Sequence, residues 1–88
     1  MKRQRAVEIY EQRLALARET GDRLGEASAL WNLGLEAEKK RDLVRAVDLM
    51  QSLVDYEREI GHAGAEKNAA YLAALRVRIA KKGLKARS

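Results

Sequence analysis

Apolar residues recur along this chain at intervals of three and four, the spacing that lines one face of an α-helix. Ala6, Ile9, Tyr10, Leu14 and Ala17 predict a first helix over about residues 2–20, with Gly21 as a left-handed stop and Asp22 opening the turn. Ala27, Leu30, Leu33, Gly34 and Ala37 predict a second over about 25–40. Arg41-Asp42 then forms a tight turn in which Asp42 can cap the next helix. Leu43, Ala46, Val47, Leu49, Met50, Leu53 and Val54 carry a third helix over about 42–60. After the turn His62-Ala63-Gly64, a fourth runs over about 65–82 to Gly83, and 84–88 is a basic tail. The chain has no proline, so nothing interrupts these helices. The expected fold is all-α, with short turns forcing antiparallel hairpins into one domain over 1–83. Gly34, in mid-helix, costs roughly 1 kcal/mol relative to alanine. A close approach to the third helix at Ala46 is the compensation expected.

The pattern also returns at a spacing of 40 residues. Arg5-Ala6-Val7-Glu8-Ile9 reappears as Arg45-Ala46-Val47-Asp48-Leu49, and Arg18-Glu19-Thr20-Gly21 as Arg58-Glu59-Ile60-Gly61. Glu26, Ala29 and Leu35 match Glu66, Ala69 and Leu75, and Trp31 matches Tyr71. Such a period marks a solenoid, in which each unit leaves an apolar face for its neighbour to cover. It predicts surface recognition, and no chemistry.

Composition narrows the picture. With 88 residues, 47% of them apolar and 35% charged, the chain reads as one small folded unit. No cysteine is present, which removes disulfides and thiolate metal sites. His62 is the only histidine, and no cluster of ligands accompanies it, so neither a metal nor another cofactor is expected. Acids such as Glu36 and Glu38 alternate with bases and read as solvated faces. No nucleophile–base pair or phosphate loop stands out, and an enzyme is not expected. No signal-like start or membrane-length apolar run is present, which makes a cytoplasmic protein the expectation. The net charge of +5 gathers towards the end, from Arg76 and Arg78 through Lys81, Lys82, Lys85 and Arg87. That cluster is the basis of an alternative function, nucleic-acid binding.

Leu30-Trp31-Asn32-Leu33-Gly34 followed by Asp42, Ala46-Val47 and Met50 resembles the tetratricopeptide repeat. The period is similar to that of longer-repeat members such as those related to kinesin light chains, and the resemblance covers about residues 5 to 80. Three departures stand out. Arg13 and Leu53 occupy places usually held by small residues, Arg41 replaces a turn glycine, and Leu72-Ala73-Ala74 replaces Asn-Leu-Gly. In that register the chain is one complete repeat between two half-repeats. The resemblance implies a concave ligand face on the second and fourth helices, where Asn32 would hydrogen-bond the backbone of a bound peptide.

Two sets of candidate residues follow. A protein or peptide partner would be bound by Trp31, Asn32, Leu35, Lys39, Tyr71, Leu75 and Arg78, although the apolar members would serve equally well as packing. The run from Ala69 to Leu75 is apolar all round a helix that has chain neighbours on one side only. Self-association into a homodimer through Ala70, Tyr71, Leu72, Leu75 and Ile79 would cover it.

Overall fold

The chain folds, in a computed structural model, into four antiparallel α-helices; residues 2–83 are described, with side chains from Arg5 onward. They are α1 (Lys2–Thr20), α2 (Arg23–Lys39), α3 (Leu43–Glu59) and α4 (Ala65–Lys81). Each agrees with the sequence expectation to within two residues at either end. The basic segment 84–88 lies outside the described residues.

The three reversals share one solution. A left-handed residue stands at Gly21 (φ 74°), Arg41 (φ 66°) and Gly61 (φ 69°). The next amide then reaches back five residues: Asp22 to the Ala17 carbonyl, Asp42 to Ala37 and His62 to Glu57, at 2.8–2.9 Å. This Schellman arrangement satisfies carbonyls that each helix end leaves unpaired. The same three residues help start the following helix. Asp22 Oδ1 accepts from the Gly25 amide at 2.8 Å, and Asp42 Oδ1 from Arg45 at 3.2 Å. His62 Nδ1 accepts from Gly64 at 2.8 Å. Asp22 is thus the N-cap of α2, which is why that helix begins two residues earlier than its apolar stripe suggests.

Helices pack in chain order, α1 on α2, α2 on α3 and α3 on α4. The core lies on α3, where Leu43, Ala46, Met50 and Val54 are almost fully covered, with Ala37 on one side and Leu72, Leu75 and Ile79 on the other. Gly34 sets how close α2 and α3 come. A Cβ there would overlap the Met50 Cγ, with its sulfur at 2.8 Å and the Ala46 carbonyl oxygen at 3.0 Å. The expected close contact is present, and Met50 is its larger part.

The 40-residue period is structural. Arg18 pairs with Glu26 at 3.1 Å between α1 and α2, and Arg58 with Glu66 at 3.2 Å between α3 and α4. Arg23 joins α2 to α3, with one nitrogen 2.5 Å from Glu59 and its guanidinium 5.1 Å from the centre of the Tyr56 ring. Hydrogen bonding and the charge of the arginines hold the Glu59 and Glu66 carboxyls below the ordinary carboxylate range. These pairs are exposed and orient the helices more than they stabilise them.

Candidate peptide groove

Backbones of α2 and α4 do not touch, so the space between them is bridged by side chains alone. Trp31 and Tyr71, one period apart, bring their ring centres to 5.7 Å at a tilt of 46°, within the range favourable for aromatic pairs. Glu38 completes the bridge. One carboxylate oxygen accepts from the Tyr71 hydroxyl at 2.5 Å, and the other lies 3.2 Å from an Arg78 nitrogen. Donation to Glu38, with some burial, pushes the Tyr71 phenol above its ordinary pKa.

In front of this bridge lies a groove of about 360 Å3 lined by Tyr10, Asn32, Leu35, Glu36, Glu38, Lys39 and Tyr71. Tyr10 comes from α1, separated by two helices from the α4 that carries Tyr71, and closes the far wall. Asn32 is half-buried and makes no side-chain hydrogen bond among the described residues. Its amide can both donate and accept. Lys39 is exposed and paired with Glu36 at 3.1 Å, so charge of both signs edges the groove.

Asn32 also borders a second groove, of about 390 Å3, between α1 and α2, with Arg13, Leu16, Ala17 and Ser28 among its walls. One period later the corresponding positions are Leu53, Tyr56, Glu57, Asn68 and Leu72. There Leu53 and Leu72 are buried, and Asn68 donates to Glu57 at 2.8 Å. Smaller or charged residues at these places in α1 and α2 leave the space open.

Of the seven residues proposed to bind a partner, Asn32, Leu35, Lys39 and Tyr71 line the groove. Trp31 does not; it is half-buried against the core and braces Tyr71 from behind. Arg78 is engaged by Glu38. Leu75 needs correction, because it is 2% exposed and packed into the core. The self-association set is corrected in the same way: Leu72 and Ile79 are core residues with Leu75, since α4 turns this side onto α3. Ala70 and Tyr71 remain exposed. Sequence reasoning missed Tyr10; it put Glu38 on the ligand face that the resemblance implies, but read it as a solvated acid with no role in binding. A signal for Glu38 was present: Arg78 stands one period later with the opposite charge.

Among the described residues no group of three or more His, Asp or Glu side chains is placed to hold a metal ion, and no helix is long and apolar enough to cross a membrane. Neither a protein-family model, nor a curated protein, nor a solved structure matches the chain. Function has to be argued from the groove itself.

Proposed function

We propose that the protein is a tetratricopeptide-like binding module that takes a short extended peptide of a partner protein into the groove between α1, α2 and α4. Asn32 carries the reading. Its side-chain amide makes no hydrogen bond among the described residues and stays open to solvent, so it is free to meet a ligand that offers a donor and an acceptor together. Peptide backbone does so at every residue. Tyr10, Leu35 and Tyr71 supply apolar and aromatic surface beside it, while Glu36 and Lys39 at the edge select charge on the ligand. The module works as a binding surface without catalysis or cofactor, in the cytoplasm. Nucleic-acid binding through α4 is less well supported. Arg76 is drawn to Gln51 at 2.5 Å and Arg78 to Glu38, away from a shared phosphate-binding face.

Trp31, the only tryptophan, touches Tyr71 and reports occupancy by its fluorescence. Sequences selected from a random peptide library are titrated against the chain at two salt concentrations. Asn32→Ala is expected to weaken binding roughly fivefold, the worth of about one hydrogen bond, and Tyr71→Ala more. Selected peptides that bind both variants as tightly as the parent would refute the groove. Affinity for DNA or RNA that falls steeply with salt would favour the alternative instead.

A further inference from the structure

Among the described residues, four large apolar side chains stand exposed on the outer helices: Ile9 (37%) and Leu16 (60%) on α1, and Tyr71 (39%) and Val77 (52%) on α4. For Ile9, Leu16 and Val77 the internal repeat says what the positions are for. One period after Ile9 and Leu16 come Leu49 and Tyr56, on the side of α3 that meets α2. One period before Val77 comes Ala37, buried on the side of α2 that meets α3. The exposed residues Ala70, Ala73 and Ala74 likewise stand one period after Leu30, Leu33 and Gly34, and Gly34 is the point of closest approach to Met50. Thus α1 carries one half of an α2–α3 interface and α4 carries the other. Within one copy α2 and α3 stand between them, and α1 does not pack on α4.

We propose that α4 of one copy receives α1 of a second copy, remaking the α2–α3 contact between chains in a head-to-tail stack. In this register residues of the second copy take places two periods further on. Side-chain sizes are exchanged along part of the seam, where Leu33 and Ala37 become Ala73 and Val77. Ala74 and the second copy's Tyr10 are both larger than the Gly34 and Met50 whose places they take, so the two helices sit further apart there than α2 and α3 do. Charge complements it as well. Arg78 stands one period after Glu38, so the second copy's Glu38 approaches Arg78 as Arg78 approaches Glu38 within the chain. Tyr71 is brought beside the second copy's Trp31, which continues the aromatic row. Arg5 and Lys81 oppose the contact as like charges near the seam.

A heterologous contact of this kind does not stop at a closed two-fold pair; it continues into chains or rings. It has a signature no isologous dimer shares. Ile9→Lys spoils the α1 half and Val77→Lys the α4 half, both at exposed helical sites where folding is undisturbed, as circular dichroism will verify. Sedimentation velocity is run at about 0.5 M salt, where the Debye length is about 4 Å and the like charges are screened. The parent chain is expected to grow in mass with concentration beyond a dimer. Each variant alone should associate at least about tenfold more weakly, since a lysine at the seam must be buried or expelled. An equimolar mixture of the two should give a one-to-one heterodimer, each variant supplying its intact half. A parent chain that stays monomeric overturns the proposal and leaves these faces to a helix of another protein. So does a discrete dimer that both variants preserve, or a mixture of folded variants that remains monomeric.

Discussion

Gly34→Ala sets two effects of known size against each other. Alanine is favoured over glycine within a helix by about 1 kcal/mol, so an isolated α2 would gain from the change. In the folded protein the new methyl would overlap Met50 and stand 3.0 Å from the Ala46 carbonyl oxygen. Met50 is fully buried among core side chains, and the carbonyl belongs to the helical backbone of α3. Relief therefore has to come from moving the two helices apart, and overpacking of this kind costs about 1–3 kcal/mol. The net expectation is a loss of up to about 2 kcal/mol. For a domain of this size each 1 kcal/mol lowers Tm by roughly 4–8 °C. Urea unfolding followed by helical circular dichroism and by Trp31 fluorescence measures it. Met50→Ala sharpens the test: alone it should cost about 2–5 kcal/mol, but in its presence Gly34→Ala should become neutral or stabilising. A stabilising Gly34→Ala in the parent chain, or an effect unchanged by removal of Met50, would refute the claim that this contact sets the helix separation.

Two further outcomes are expected. Arg41 holds a left-handed backbone without being glycine, a conformation that costs a side-chain-bearing residue about 1–2 kcal/mol; Arg41→Gly should raise the unfolding free energy measured in urea by about 1 kcal/mol, whereas the same change at exposed Arg45 within α3 should lower it. Tyr71 is held above the ordinary tyrosine pKa by its hydrogen bond to Glu38, so stability from this link is present below that ordinary value and lost as pH rises through the higher folded one; Glu38→Gln should shift the highest tyrosine transition in an ultraviolet titration downwards, and an unchanged titration would break the link between the two residues.

The helices and their order were written in local pattern. Apolar spacing, Gly21, Gly61 and Asp42 act within a turn or two of chain, so each can be read without knowing what lies across the fold. The 40-residue period was legible for the same reason, and it foretold that α1 on α2 and α3 on α4 would be alike. What local pattern could not carry was which side of α4 faces inward. Ala69 to Leu75 is apolar around the whole helix, so its sequence is compatible with any rotation. Packing on α3 made the choice: Leu72, Leu75 and Ile79 went into the core, while Ala70, Ala73, Ala74 and Val77 were left outside. The groove depended on tertiary structure for a related reason. Its walls come from α1, α2 and α4, and Tyr10, Asn32 and Tyr71 become neighbours only once α3 has set the spacing between the helices on either side of it. Sequence determines what each helix offers on all its sides; burial, which needs a second helix, determines which side remains to be used.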